Sequence, residues 1–182
     1  MTQIQHNQLV SFIWNIANDV LVNVYNKADY RKVILPMIVL RRFDPVLEDT
    51  KKEVLAMKER LTAANIIQQD EALCAVAGQA FCNSSPFTLK DLKSRTNSQQ
   101  LKLDFIAYLD GFSANVQDII TKFKFRNEID TLVEGGVLGL LIEKFVDNRI
   151  NLSNRPVLFD DGSVRLPALD NHSIGTVFEE LL

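Results

Sequence analysis

The stretch Asp29–Asp44, DYRKVILPMIVLRRFD, decides the fold because it places eight nearly wholly apolar residues between two basic pairs. The run from Val33 to Leu40 is apolar on every side of a helix, which predicts a central helix rather than a peripheral one. We expect Asp29 to cap this helix and Pro36 to kink it, since proline removes one backbone hydrogen bond. The two basic pairs either bind a polyanion or keep an apolar helix in solution.

Helical periodicity continues through most of the remaining sequence. Near the start of the chain, apolar residues recur at three- and four-residue steps and predict one buried stripe: Leu9, Ile13, Ile16, Ala17, Val20, Leu21 and Val24. Asp44 followed by Pro45 is typical of a helix cap and a first-turn proline. Thr50 with Glu53 predicts a capping box for the next helix. Further helices are predicted over about 70–77, 98–109, 113–123 and 137–146.

The segment 156–169, PVLFDDGSVRLPAL, carries the only strand signal. Its Asp161-Gly162 pair lies between two short apolar runs, which predicts a β-hairpin. The predicted fold class is therefore mainly α, a multi-helix bundle-like domain with one short hairpin. We divide the chain into an N-terminal helical domain, 1–155, and a segment, 156–182, that holds a hairpin-containing linker and the start of another helix.

The end of the chain carries a second predicted capping box, formed by Thr176 and Glu179. An amphipathic face begins after it, but no glycine, proline or basic turn closes that helix. We therefore expect the chain to be cut just before a further domain.

Length and composition bound the class of protein. At 182 residues, 47% apolar and 24% charged, the chain fits one globular domain, and its net charge of −3 excludes a protein that coats nucleic acid over its whole surface. No apolar run is long enough for a membrane span, and the N-terminus lacks a secretory signal, so we expect a cytoplasmic protein. Cys74 and Cys82 show no zinc or redox spacing and are interpreted as buried reduced thiols.

A self-contained active site is not predicted. The glycines of EGGVLGL follow a helical stretch rather than a strand, so they fit helix breaks or packing better than a cofactor loop. His6 and His172 lie far apart without a carboxylate at metal-ligand spacing. We assign no catalytic, cofactor-binding or metal-binding residue.

Local basic clusters are the better candidates for function. Between Lys27 and Arg60 the sequence holds nine Lys and Arg against six Asp and Glu. The DNA-binding candidates chosen on charge are Lys27, Arg31, Lys32, Arg41 and Arg42, followed by Lys122, Lys124 and Arg126. Lys90, Lys93 and Arg95 form a third cluster. The alternative is a solvated helix surface, with Phe123 and Phe125 in the core rather than stacked on bases.

Arg41 and Arg42 have a separate alternative. Asp29, Asp44 and Glu48 are close enough in sequence to neutralise part of the first cluster. On that interpretation the two arginines pair internally and anchor the central helix.

Four stretches resemble the methylation subunit, HsdM, of type I restriction–modification systems. They are ADYRKVILPMIVLRRFDPVLEDTKKEVL, FCNSSPFTLKDL, YLDGFSANVQDIITKFKFRNEIDTL and LDNHSIGTVFEELL. They occur in the order of that family and span about Trp14 to Leu182. The resemblance implies an N-terminal helical domain ahead of an adenine-specific DNA methyltransferase domain.

The same resemblance implies the biochemical setting. The S-adenosylmethionine motif and the Asn-Pro-Pro-Phe motif of the family are expected beyond Leu182, so these residues alone bind no cofactor and are not an enzyme. The implied partners are double-stranded DNA, the specificity and restriction subunits, and the chain's own C-terminal methyltransferase domain. The resemblance implies DNA clamping and subunit docking. The alternative is a structural interaction module that packs on the methyltransferase domain and the specificity subunit without touching DNA.

Overall fold

A computed structural model describes residues 1–182 as ten α-helices and one two-stranded hairpin. The helices are α1 Gln3–Leu21, α2 Arg31–Glu48, α3 Lys51–Ala63, α4 Asp70–Ala77, α5 Leu89–Lys93, α6 Ser98–Asp110, α7 Ala114–Phe123, α8 Arg126–Glu134, α9 Leu138–Phe145 and α10 Asn171–Leu181. The strands β1 Val157–Leu158 and β2 Val164–Leu166 pair antiparallel. The predicted mainly α fold with one short hairpin is confirmed.

Helix α2 lies in the middle of the protein, as its apolar run predicts. All residues from Val33 to Ile38 are buried, and the helix packs against α7, α9 and α10. It continues through both Pro36 and Pro45. Because the run is apolar on every side, each face of the helix removes hydrophobic surface from water against a different neighbour.

The helix caps predicted at Asp29 and Asp44 are wrong. Asp29 belongs to a 3₁₀ turn, Lys27–Asp29, and pairs with Lys32 at 3.0 Å instead of capping α2. Asp44 does not start a helix, since α2 runs on to Glu48. Its buried carboxylate instead accepts hydrogen bonds from the Leu89 amide at 3.2 Å and the Tyr108 hydroxyl at 2.8 Å. Because these partners, which are distant in sequence, occupy the Asp44 carboxylate, the side chain cannot cap a helix locally.

Both predicted capping boxes are also absent. Helix α3 begins where expected, but Thr50 makes no side-chain cap, and its hydroxyl lies 3.5 Å from the Leu47 carbonyl. Thr176 lies inside α10 and donates to the His172 carbonyl at 3.0 Å. The N-cap of α10 is Asp170, whose carboxylate accepts the Ser173 amide at 2.7 Å. The earlier start lengthens α10, whose buried residues are Ser173, Val177 and Leu181.

The segment after α9 shares the hydrophobic core of the helices before it. Leu169, Val177 and Leu181 are buried in the same cluster as the apolar residues of α1 and α2. Helix α10 packs on α1, where the imidazole of His6 contacts the carboxylate of Glu180. No helix combines the length and apolar character that crossing a bilayer requires.

Candidate nucleic-acid interface

Arg41 is a buried structural residue. Its guanidinium Nε donates to the Phe145 carbonyl at 2.9 Å, at the end of α9. Burial lowers the pKa of Arg41, and the charge of the nearby Asp44 carboxylate opposes that shift. The side chain therefore joins α2 to α9 and leaves no charge exposed for a phosphate.

Arg42 joins α2 to the segment that precedes α10. One guanidinium nitrogen donates to the carbonyls of Leu152 at 3.0 Å and Leu169 at 2.5 Å. The other donates to the Asn171 side chain at 2.9 Å. Burial lowers the pKa of Arg42, since the half-buried guanidinium has lost part of its hydration. The geometry therefore favours internal pairing for Arg42, as it does for Arg41.

A buried polar network holds the loop before α5 against α2 and α3. The Lys51 ammonium donates to the Asn83 side-chain oxygen at 2.8 Å, and the Asn83 amide donates to the Tyr108 carbonyl at 2.9 Å. The Tyr108 hydroxyl completes the network on Asp44. Burial lowers the pKa of Lys51 to about 8 and raises that of Asp44. Sequence reasoning missed Lys51, because nothing local marks it as different from its neighbour Lys52.

Three of the predicted DNA contacts lie exposed at the start of α2. Lys27 and Arg31 project into solvent and form no ion pair. Lys32 is also exposed but pairs with Asp29 at 3.0 Å, and that pairing is the main cause of its raised pKa. This end of α2 therefore carries two free positive charges and a third that is partly compensated.

The other three predicted contacts lie at the junction of α7 and α8. Lys122 and Lys124 are exposed and form no ion pair. Lys124 ends α7 in the left-handed region at φ 55°, where the chain turns sharply into α8. Arg126 pairs with Asp110 at 2.8 Å and donates to the Gln117 side chain at 2.8 Å. The junction thus adds two more free positive charges.

The two basic clusters sit on neighbouring elements. Helix α2 packs against α7, and the Tyr25 hydroxyl, just before the first cluster, donates to Glu128 of α8 at 2.6 Å. The charge of Glu128 also reaches Lys32 and contributes to its raised pKa. We call these residues the basic surface: Lys27, Arg31, Lys32, Lys122, Lys124 and Arg126.

The aromatic residues beside the second cluster belong to the core. Phe125 is fully buried and meets Phe105 edge to face, with ring centroids 6.0 Å apart. Phe123 packs against Phe178 of α10 at 6.0 Å. The core interpretation of both phenylalanines is confirmed, so base stacking is not their role.

The third basic cluster is largely compensated. Lys90 pairs with Glu48 at 3.6 Å, and Arg95 pairs with Asp104 at 3.0 Å. Only Lys93 of this cluster is exposed without an ion pair.

Comparison with known proteins identifies the family. The model of the HsdM N-terminal domain matches residues 9–145. The chain belongs to the HsdM N-terminal domain family. No curated protein and no solved structure gives a significant match. This HsdM domain is therefore the N-terminal domain of a type I restriction–modification methyltransferase subunit, and such a domain is non-catalytic by itself.

The family-like stretches of the HsdM domain supply its internal supports. FCNSSPFTLKDL contributes Asn83, whose side-chain oxygen also accepts the Ser85 amide at 2.9 Å. YLDGF contributes Tyr108, and LDNHS contributes Asn171 to the Arg42 contacts. These motif residues fix helices and loops relative to one another, and none of these three side chains belongs to the basic surface.

The glycines of EGGVLGL lie at helix ends or within a helix. Gly135 and Gly136 lie between α8 and α9, and Gly139 lies within α9. A Cβ added to Gly139 would lie 3.4 Å from the Leu101 side chain. A nucleotide-type loop instead follows a strand and opens a helix. No group of three or more His, Cys, Asp or Glu side chains is arranged to hold a metal ion.

Proposed function

We propose that this HsdM domain clamps the phosphate backbone of double-stranded DNA through its basic surface. The observation that supports the proposal is the division of the basic residues into two groups. Lys27, Arg31, Lys122 and Lys124 are exposed and free of ion pairs, whereas Arg41 and Arg42 are occupied by backbone carbonyls. Exposed, unpaired cations release counterions from DNA most effectively, because no carboxylate competes for them.

The clamp serves adenine methylation by the parent subunit. In this proposal the C-terminal methyltransferase domain binds S-adenosylmethionine and methylates adenine at N6 in the cytoplasm. That chemistry requires the base to leave the helix, and a backbone clamp keeps the duplex in register while it does so. The specificity subunit reads the sequence, since phosphate contacts position DNA without identifying bases. The restriction subunit completes the same assembly.

Docking on other subunits is the second candidate function. The hairpin exposes Leu158, Phe159 and Val164, each more than half exposed. Ile66 and Ile67 are likewise exposed in the turn between α3 and α4. Apolar side chains in such clusters are typical of protein contacts rather than phosphate contacts. A purely structural module would use these clusters and leave the basic surface in solvent.

Charge reversal at the α7–α8 junction separates the two functions. In the assembled methyltransferase, Lys122→Glu with Lys124→Glu is expected to weaken DNA binding about tenfold at physiological salt. The slope of log affinity against log salt should fall by about two, because two phosphate contacts are lost. Fluorescence anisotropy with a labelled duplex over a salt series measures both quantities.

A matched control uses two other exposed lysines without ion pairs. Lys52→Glu with Lys93→Glu changes the net charge equally, at residues of α3 and α5 that do not belong to the basic surface. This control should reduce affinity much less and leave the salt slope nearly unchanged. Equal effects of the two double variants would contradict the clamp and support the structural module.

A further inference from the structure

The two cysteines of the chain form a close pair in space. Cys74 lies on α4 and Cys82 in the loop that follows, and their sulfur atoms are 3.0 Å apart. Both are free thiols. A disulfide bond is about 2.05 Å long, so an approach of roughly 1 Å would join them. The sequence spacing gives no hint of this pair, because the turn after α4 brings the sulfurs together.

The two thiols differ in their access to solvent. Cys82 is buried, with 1% of its surface exposed, whereas Cys74 is partly exposed. Cys82 is also held in place at the backbone, where its amide donates to the Ser113 hydroxyl at 3.1 Å and its carbonyl accepts the Ser113 amide at 2.9 Å. A small oxidant therefore reaches Cys74 first, and the sulfur of Cys82 lies within contact distance of the Cys74 sulfur.

We propose that Cys74 and Cys82 are a redox modification site. Low-molecular-weight disulfides oxidise the two thiols reversibly to an intramolecular disulfide. The Cys74 thiolate attacks one sulfur of the oxidant, and one small thiol leaves. Cys82 then loses its proton and attacks the Cys74 sulfur, which expels the second small thiol. The protein loses two electrons and two protons, and the oxidant is reduced to two thiols.

The second step is the slow one. Burial raises the pKa of the Cys82 thiol, so little of it is ionised at neutral pH. The mixed disulfide on Cys74 should therefore accumulate briefly before it resolves. Its decay should accelerate as the pH rises, since each unit of pH increases the thiolate fraction about tenfold below that pKa.

The disulfide would fasten a lightly anchored part of the fold. Helices α3 and α4 pack mainly on each other, and only Val54, Leu73 and Ala77 of the two helices are buried. Cys82 immediately precedes Asn83, which belongs to the buried polar network. Oxidation thus ties the α3–α4 pair to the centre of the domain, and the melting temperature should rise by about 5 °C.

The experiment exposes the 182-residue chain to oxidised glutathione in glutathione buffers of graded potential. Intact mass spectrometry after acid quenching should show a transient glutathione adduct, then a product lighter than the starting protein by two hydrogen atoms. Thiol counting after denaturation should fall from two to none, and the product should run as a monomer on a non-reducing gel. Dithiothreitol should restore both thiols.

Single variants assign the two roles. Cys82→Ala should stop at a stable adduct on Cys74, while Cys74→Ala should react slowly because the remaining thiol is buried. The wild-type result stands without the variants, so a misfolded variant leaves the test intact. A permanent adduct on wild-type Cys74, two unreacted thiols, or disulfide-linked dimers would each overturn the proposal.

Discussion

A Gly111→Ala variant is expected to lose about 3 kcal/mol of unfolding free energy, because a methyl group has no space at this position. A Cβ built on Gly111 would lie 2.5 Å from the Ser85 backbone nitrogen and 2.8 Å from the Asn83 side-chain oxygen. Backbone atoms cannot rotate away, so the loop before α5 must shift and disturb the Lys51–Asn83 hydrogen bond. Urea denaturation followed by circular dichroism measures the loss.

The matched control is Gly175→Ala in α10. A Cβ at Gly175 meets no atom within 4 Å, and the residue is exposed. Alanine is more favourable than glycine in a helix interior, so the unfolding free energy of this variant should rise by about 0.5–1 kcal/mol. Neither glycine has a positive φ, so the contrast reports packing rather than backbone strain. A Gly111→Ala protein as stable as wild type would show that the loop does not lie against α6.

The second large effect is expected for Arg42→Met, which keeps the apolar stem and removes the guanidinium. The carbonyls of Leu152 and Leu169 would lose their hydrogen-bond donor in the protein interior. Buried, unsatisfied carbonyls cost about 1–3 kcal/mol each, so the total loss should be about 3 kcal/mol. Hydrogen exchange should also accelerate in α10, because Arg42 ties that segment to α2.

Arg31→Met is the control for Arg42→Met. Both residues lie on α2 and lose the same charge, but Arg31 is exposed and makes no ion pair. Its substitution should change the unfolding free energy by no more than about 0.5 kcal/mol. If the two variants lost equal stability, the structural role assigned to Arg42 would be wrong.

The fold was largely predictable because its signals are periodic and local. The apolar stripe of α1, the all-round apolar run of α2 and the amphipathic spacing of α7 each report burial directly. The hairpin was predictable from Asp161-Gly162, and Gly162 does adopt a positive φ of 85°.

The helix boundaries were less predictable because capping residues have competing partners. Asp44 carries the same local signal as a true N-cap, yet its carboxylate accepts a hydrogen bond from the Tyr108 hydroxyl, 64 residues away. Thr50 and Thr176 likewise donate to preceding carbonyls instead of capping. Sequence shows that such a side chain seeks a partner, and only the folded structure shows which one it finds.

The candidate site divides in the same way. Composition and charge identify the basic clusters, but adjacent residues with the same charge have different roles. Arg41 and Arg42 turn inward to carbonyls, whereas Lys122 and Lys124 remain in solvent. The close approach of Cys74 to Cys82 is also invisible in the sequence, because residues eight positions apart do not contact each other within a single helix or strand.

Lysine footprinting of the assembled methyltransferase tests most directly whether the basic surface lies against DNA. The complex is acetylated briefly with and without a duplex that carries its recognition site, and each lysine is quantified by mass spectrometry. Protection of Lys27, Lys122 and Lys124 by DNA is predicted, with Lys52 and Lys93 unchanged as exposed references. Equal acetylation of those three lysines with and without the duplex would contradict the account.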